Sequence, residues 1–242
     1  MASVGEYSRA EWPLNIPHPT FHIPHPSFHT FKRPLVHEVF AKVGSLLALD
    51  ALLHLTRFGG VGNHVDEVRD IINGKNVVAP IREIQEVKNA IKTYEMYPHL
   101  DAFKEEDLLK AHAQMMEAII DNPGRYRHGG VGVFSEHGLV HMAPPADRVP
   151  YLMRDLFEWL NRSKDHLLIR SCVFHYEFEF IHPFADGNGR MGRLWQSLIL
   201  GKLHPLFEHL PVENMVFSNQ QAYYDAITAS TQAANSGPFI EF

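Results

Sequence analysis

The chain has 242 residues, of which 45% are hydrophobic and 21% are charged, and it carries a formal net charge of -6. This composition is typical of an ordinary globular protein with a sizeable core, and the negative charge without a Lys/Arg-rich run makes nucleic acid a poor partner. The single cysteine, Cys172, excludes an intrachain disulfide and is expected to be a buried small hydrophobe. The longest apolar stretch, residues 43–55, contains Asp50 and is too short to cross a bilayer, and the N-terminus does not have the pattern of a secretory signal, so a cytoplasmic location is expected.

Residues 1–34 are predicted to form a Pro/His-rich arm. IPHPTFH (16–22) is followed directly by IPHPSFH (23–29), and the prolines of this tandem repeat favour an extended backbone. The Phe and Ile side chains between them are expected to anchor the arm. Metal binding is the weaker alternative, because no acid or cysteine accompanies the four histidines of the repeat, which are His18, His22, His25 and His29.

Residues 35–242 are predicted to form one mainly α-helical domain, because apolar residues recur there at helical spacing. Helices are predicted at 35–55, 65–74, 81–97, 104–120, after the prolines of 144–163, and at 166–181, 188–203 and 218–234. The exception is residues 125–143, where the short alternating runs VGVF and LVHM flank SEHG. That pattern predicts a small β-hairpin with Gly138 in its turn.

The glycines of GNGRMG (187–192) fit the pattern of a dinucleotide-binding loop, but their surroundings do not. Such a loop follows a β-branched strand, whereas here the preceding YEFEFIHPFAD contains a proline and a single β-branched residue. Dinucleotide binding is therefore rejected, and Gly192 is interpreted as a chance match that helps a helix to pack closely.

The wider block HPFADGNGRMGR, residues 182–193, predicts a phosphate-binding loop. Gly187 and Gly189 let backbone N–H groups converge at the start of a helix, where the helix dipole favours anions. Arg190 and Arg193 are three residues apart, so they share a helix face on which a di- or triphosphate would lie.

Two further side chains of this block suggest chemistry beyond binding. Asp186 offers the hard carboxylate oxygen that Mg²⁺ uses when it bridges phosphates, and His182 is placed where a neutral imidazole would take a proton from a hydroxyl. His182 taken alone is more simply a hydrogen-bonded structural histidine. The combination favours transfer of a phosphate-containing group by positioning and charge neutralisation.

The block resembles the signature of the Fic family, H-P-F-x-[D/E]-G-N-G-R-x-x-R. Every specified position is filled, by His182, Pro183, Phe184, Asp186, Gly187, Asn188, Gly189, Arg190 and Arg193. VFHYEFEFIHPF is similar to the core helix of the family, AYYDAI to its downstream Tyr-Tyr pair and PFIEF to its closing helix. The resemblance covers residues 35–242 and implies an all-α Fic-type domain with a small β-hairpin flap.

The resemblance implies a protein adenylyltransferase that moves AMP from Mg-ATP to a Ser, Thr or Tyr hydroxyl of a target protein, and to itself. His182 would be the general base and Asp186 the Mg²⁺ ligand. Asn188 and the backbone of 187–189 would hold the α-phosphate, and Arg190 and Arg193 the β- and γ-phosphates. Further nucleotide contacts would come from Met191, Gly192, and Tyr223 or Tyr224 beside adenine, with plain helix packing as the alternative for one tyrosine of the pair. The flap that positions the target would comprise Val131, Gly132, Val133, Phe134 and Ser135.

A second feature that the resemblance makes informative is LTRFGGVGNHVDEV, residues 55–68. Many Fic proteins carry an inhibitory helix here whose glutamate pairs with the second arginine of the signature. Alignment on Glu67 places Gly59 at that glutamate's position, and alignment on Thr56 places Gly60 there. The departure, natural or engineered, predicts a constitutively active transferase, unless the glycines form only a loop.

Several alternatives stay open at this stage. In the first alternative the enzyme transfers another nucleotide, phosphocholine or the γ-phosphate instead of AMP. In the second it removes AMP from a target protein. A nucleotide-binding regulator without turnover is a third. A homodimer is compatible with the resemblance, no membrane partner is expected, and the abrupt ending PFIEF predicts that the native chain continues.

Overall fold

The computed structural model describes residues 70–71, 74–135, 138–204, 207, 215–216 and 218–242. The predicted arm, the predicted helix at 35–55 and Gly59 lie outside these residues. Gly74 has a φ of +71° and its N–H bonds to the carbonyl of Ile71 at 3.0 Å, as expected for a glycine that stops a helix.

The described part of the chain is mainly helical, which confirms the all-α class. We number its helices and strands in chain order. They are α1 (Ile81–Met96), α2 (Glu105–Met115), β1 (Gly132–Ser135), β2 (Gly138–Met142), α3 (Val149–Arg162), α4 (Leu167–Ile181), α5 (Asn188–Gly201), α6 (Gln220–Ala233) and α7 (Gly237–Glu241). Short 3₁₀ turns at Tyr97–His99 and Ala146–Arg148 lead out of α1 and into α3. Among these helices none is long and apolar enough to cross a membrane.

Helix α4 lies at the centre of the fold, because both of its faces are apolar. Phe174 and Phe178 pack into one cluster with residues of α1, α2, α3 and α5, where Trp195 of α5 is fully buried. Tyr176 on the other side packs against α6 and α7 through residues such as Phe239. A helix that is covered on two sides holds its C-terminal end rigidly, and the block at 182–193 begins at that end.

Helix α2 ends at Met115 and is therefore shorter than the helix predicted at 104–120. The side-chain amide of Asn89 in α1 donates to the carbonyls of Met115 and Glu117 at 3.2 and 2.7 Å, which satisfies carbonyls that a continuing helix would use. Ala118 then takes a φ of 57°, which breaks the helical path. A tertiary contact thus overrides the apolar periodicity of this stretch.

Strands β1 and β2 form a two-stranded antiparallel sheet with an irregularity between Val133 and Phe134. The prediction of Gly138 in the turn is wrong, because Gly138 begins β2 and pairs with Ser135. The segment is closed at its base by a bond of 3.2 Å from the N–H of Ala143 to the carbonyl of Val131.

Candidate active site

His182 lies immediately after the last residue of α4 and ends that helix in a left-handed conformation, with φ 49° and ψ 61°. Its N–H still donates to the carbonyl of Phe178 at 2.9 Å, so the residue is tied to the rigid helix. About a fifth of its side chain is exposed, and Nδ1 is buried. The exposed part of the ring therefore belongs to other atoms, which leaves the Nε2 side as the edge that a substrate could approach.

The loop after His182 is closed by the side chain of Asn188. Its amide oxygen accepts from the N–H of Phe184 and its amide nitrogen donates to the carbonyl of Phe184, both at 2.8 Å. Asn188 is 2% exposed. Its side chain thus braces the loop instead of pointing to a ligand, and any contact from this residue to an α-phosphate falls to its backbone N–H.

Gly187 lies directly before α5 and is required by the local geometry. Its φ is +84°, and a Cβ on it would lie 2.7 Å from Sδ of Met116. The chain therefore needs a glycine here to reach the N-terminus of α5, where the helix dipole and the N–H groups without an intrahelical partner favour an anion.

Arg190 is buried among carboxylates on the first turn of α5. Its guanidinium lies 3.9 Å from Oε2 of Glu86 and 3.6 Å from Oδ1 of Asp186, and burial lowers its pKa. Arg82 of α1 also contacts both acids, at 3.2 Å from each. The predicted phosphate-binding arginine is therefore part of a network of two arginines and two acids.

Asp186 is the more accessible of the two acids, with 42% of its side chain exposed against 3% for Glu86. Its Oδ1 accepts from the N–H of Gly187 at 2.6 Å, which fixes the carboxylate at the mouth of the loop. One carboxylate with phosphate oxygens is a common way to hold Mg²⁺, and the described residues contain no group of three or more metal-ligating side chains. Asp186 fits such a shared site, provided that Arg82 yields Oδ2.

Arg193, one turn further along α5, is 2% exposed and lies close to the loop. A Cβ on Gly189 would come within 3.0 Å of its guanidinium, so Gly189 makes room for it. Arg190 and Arg193 thus both face the start of α5, as the spacing predicts.

Glu179 of α4 is buried between Arg193 and His182. Burial raises the pKa of this carboxyl to about 7, against the opposing charge of Arg193. Its Oε2 lies 4.0 Å from Nδ1 of His182. A Cβ on Gly192 would lie 2.5 Å from Oε1 and 3.2 Å from the ring of Phe178, so Gly192 lets α5 pack closely on α4, as predicted, and makes room for this carboxylate.

His112 of α2 supports the loop from below. Its ring stacks on Phe184 with centroids 3.6 Å apart, its Nδ1 accepts from the N–H of Gly124 at 2.9 Å, and its Nε2 donates to the carbonyl of Asp186 at 3.0 Å. Burial lowers the pKa of His112 to about 4, so the ring is neutral near pH 7 and keeps both bonds.

Arg127 joins the loop to the hairpin. It is 5% exposed, and its guanidinium donates to the carbonyls of His182 (2.8 Å) and Ile181 (3.2 Å) at the end of α4. It also donates to the carbonyls of Gly129 (2.8 Å) and Pro144 (2.6 Å), which flank the hairpin. Its backbone N–H donates to the carbonyl of Pro183 at 2.9 Å. One side chain thus holds both the end of α4 and the base of the hairpin.

The two tyrosines of AYYDAI differ in burial. Tyr223 is 3% exposed, is hydrogen-bonded through its hydroxyl to Nε2 of His175 at 2.9 Å, and packs edge-to-face on Phe239. Tyr224 is half-buried. This favours plain helix packing for Tyr223 and leaves Tyr224 as the candidate for an adenine contact.

The residues of the block 182–193, including Arg190 and Arg193, lie together as predicted. Five residues that surround the block were not predicted. These are Arg82, Glu86, His112, Arg127 and Glu179. Glu179 lies in the last turn of α4, three residues before His182, and helical spacing alone would have pointed to it. The others come from distant segments, and no local pattern in the sequence connects them to the block.

Comparisons with known proteins agree on the Fic family. The model of the Fic/DOC family matches residues 100–200. A Fic family protein from Desulfovibrio desulfuricans G20 has a solved structure with a TM-score of 0.78 and 43% identity, over 88% of this chain and 71% of that one. Fic-1 from Caenorhabditis elegans, at 21% identity and a TM-score of 0.62 over 86% of this chain and 69% of that one, shares the fold.

Curated relatives match a shorter part of the chain. A probable protein adenylyltransferase of Aquifex aeolicus is 34% identical over 113 residues, which is 46% of this chain and 32% of that protein. The protein adenylyltransferase Fic of Nematostella vectensis is 33% identical over 138 residues, or 54% of this chain and 28% of that protein. The chain therefore spans about a third or less of the length of these relatives.

Proposed function

Because the chain belongs to the Fic/DOC family, we propose that it is a protein adenylyltransferase, which transfers AMP from Mg-ATP to a hydroxyl of a protein. The observation that supports this most is the arrangement of His182 at the end of α4, opposite an anion-favouring helix start that carries Arg190 and Arg193. Curated relatives that match the chain are named protein adenylyltransferases, which supports the same activity.

In the proposed reaction His182 is the general base. The hydroxyl oxygen of the target attacks the α-phosphorus, the new O–P bond forms as the bond to pyrophosphate breaks, and the hydroxyl proton passes to His182. Because Nδ1 is buried, Nε2 is the nitrogen that takes this proton. No covalent intermediate with the protein is needed.

The remaining residues of the block hold the nucleotide. The N–H groups at 187–189 lie at the start of α5 and bind the α-phosphate, while Arg190 and Arg193 neutralise the β- and γ-phosphates. Asp186 is the residue that would hold Mg²⁺, and the ion would supply positive charge to the phosphate oxygens. Arg82 contacts Oδ2 of Asp186 at 3.2 Å, so Asp186 would have to share that oxygen between Arg82 and the metal.

The hairpin is the proposed flap for the target. Residues 131–135 pair with an extended segment of the target through backbone bonds, which position a hydroxyl without demanding a particular sequence. Arg127 bonds to the carbonyl of His182 and to the carbonyls that flank the hairpin, so the hairpin and the general base His182 are held at a fixed distance from each other.

Regulation is proposed to depend on Gly59, which lies outside the described residues. If the family's inhibitory glutamate is replaced there, no carboxylate at that position competes with the γ-phosphate for Arg193. Gly59→Glu is then expected to reduce self-modification, with Gly62→Glu as a nearby control. Equal self-modification of Gly59→Glu and the parent chain would contradict this regulatory proposal.

The activity is tested by incubation with ATP labelled on either the α- or the γ-phosphate. Transfer of AMP predicts that protein becomes labelled from α-labelled ATP only, and that His182→Ala abolishes the label while nucleotide binding persists. Label from γ-labelled ATP would overturn the proposal and point to transfer of the terminal phosphate instead.

A further inference from the structure

Glu179 is an unusual residue for the centre of a helical core. It is 7% exposed and belongs to α4, whose neighbouring buried residues Phe174, Phe178 and Ile181 are apolar. No described residue donates a hydrogen bond to its Oε1. A buried carboxylate with such poor compensation destabilises the folded state, so an acid at this position calls for a reason other than packing.

The surroundings of Glu179 are arranged to admit the carboxylate. Gly192 on the facing helix α5 leaves a gap that Oε1 fills, since a Cβ there would lie only 2.5 Å away. Arg193 from α5, Tyr223 from α6 and His182 at the end of α4 are the charged or titratable groups that face it. Of these, His182 is the group that acts on the proton in the proposed function.

The contact to His182 is made on a specific side of the ring. Oε2 of Glu179 lies 4.0 Å from Nδ1, which is the buried nitrogen of the imidazole. An acceptor on the Nδ1 side favours the tautomer with the proton on Nδ1, and that tautomer has its lone pair on Nε2. Contacts of this kind in free enzymes are often longer than a hydrogen bond and shorten when substrate binds.

From this geometry we propose that Glu179 is a positioning residue for His182, which sets the ring tautomer and stabilises the imidazolium that forms when His182 takes the proton. The proposal rests on the role of His182 in the proposed function. It adds an acid from inside α4 to the signature block, and it gives Gly192 a function, which is to leave space for that acid.

The pKa of Glu179 agrees with such a role. Burial raises the pKa of this carboxyl to about 7, against the opposing charge of Arg193, and carboxyls perturbed in this way cluster at functional sites. Arg193 also faces Glu179, so removal of the Glu179 charge acts on two neighbours. The contact with His182 is therefore followed through readouts of proton transfer and of the imidazole itself.

The test compares Glu179→Gln with Glu177→Gln. Both replacements keep the side-chain size, and both acids belong to α4 with a pKa raised to about 7 by burial. Glu177 faces neither His182 nor the signature block in the described contacts, so its replacement is expected to leave the kinetics unchanged. Retention of the fold is checked for each variant by thermal unfolding.

The kinetic readout separates a positioning role from a general effect on the fold. Glu179→Gln is expected to lower kcat about tenfold or more with an unchanged KM for ATP, because tautomer control acts on the proton transfer and not on nucleotide binding. A loss of kcat that Glu177→Gln shows equally, or a loss that lies only in KM, would overturn the proposal.

A second readout needs no turnover, so it separates failure of this proposal from failure of the proposed function. The imidazole of His182 is followed by NMR between pH 4 and pH 9, and its titration midpoint is expected to fall by about one pH unit in Glu179→Gln, because an opposite charge at this distance favours the imidazolium. An identical midpoint and an identical tautomer in the parent chain and in Glu179→Gln would contradict the positioning role, even if AMP transfer proceeds.

Discussion

The signature loop, residues 182–193, and the hairpin, residues 132–142, are held in different ways. The loop is braced from several sides by side chains of other elements, through Asn188 inside it and His112 and Arg127 around it. The hairpin is a two-stranded sheet whose strands pair with each other. Arg127 bonds to the carbonyls that flank its base, and β2 lies beside α6.

The difference matches the tasks that we propose for the two regions. A base and an anion site must be placed to within a fraction of an ångström before substrate arrives, and bonds from rigid helices provide this. A two-stranded ribbon is only marginally stable by itself and leaves backbone groups at its edges, which suits a surface that accepts varied target segments. The predictions below alter each region in turn.

The largest effect is expected for Gly187→Ala in the loop. The added Cβ would meet Met116 at 2.7 Å, and the φ of +84° is unfavourable for alanine. We expect a loss of about 1–3 kcal/mol in the free energy of unfolding and a fall of about a hundredfold in transfer rate, because the start of α5 would move. Urea unfolding and label transfer measure these. Gly129→Ala is the control, since a Cβ there meets nothing within 4 Å, and equal behaviour of the two variants would refute the claim of a preorganised loop.

An intermediate effect is expected for Arg127→Gln, which removes the connection between the two regions. Four carbonyls, of which that of Ile181 is buried, lose their donor, so the free energy of unfolding should fall by about 1–2 kcal/mol. Amide exchange should increase in peptides that cover residues 132–142, while peptides from α3 keep their protection. Unchanged exchange in the hairpin would show that its base is fastened by something other than Arg127.

Glu179→Gln is expected to change stability in a pH-dependent way. The folded-state pKa of Glu179 is raised to about 7 from an ordinary 4.5, so the folded chain binds the proton more tightly than the unfolded chain. The parent chain therefore loses stability as the pH rises from about 4.5 to about 7, and Glu179→Gln avoids that loss. At pH 8 the variant should be more stable by up to about 3 kcal/mol, with little difference at pH 4.5. Urea unfolding at the two pH values measures this. An equal difference in the free energy of unfolding between the two proteins at both pH values would show that burial does not destabilise the ionised carboxylate.

The smallest effect is expected for Ser135→Ala in the hairpin. If targets are positioned by backbone pairing, the loss of one hydroxyl should change the transfer rate by less than about twofold. Replacement of Val133 by proline, which removes a backbone donor, should lower it further. A larger effect of Ser135→Ala than of Val133→Pro would mean that side chains of the hairpin, and not its backbone, recognise the target.

Local patterns in the sequence anticipated much of the fold and the centre of the site. The apolar periodicity of α4 and α5 and the residues of 182–193 depend on neighbours within one or two turns, and the structure places them as expected. Such patterns are reliable because the residues that determine the helix lie within the helix itself.

What sequence reasoning missed depends on contacts between distant segments. Asn89 ends α2 from another helix, His112 reaches Asp186 across 74 positions, and Arg127 reaches His182 across 55. The resemblance of AYYDAI to the Tyr-Tyr pair of the family makes Tyr223 a candidate for the nucleotide, whereas the packing of α6 on α7 buries it. Burial and long-range bonding are properties of the assembled core and leave no local signature.

The central claim, AMP transfer with His182 as the base, is tested most directly by the intact mass of the protein before and after incubation with Mg-ATP. The account predicts a gain of AMP by the chain itself or by an added acceptor protein, and no gain when His182→Ala is used under the same conditions. A gain of one phosphate, or an AMP gain that His182→Ala shows to the same extent, would contradict it.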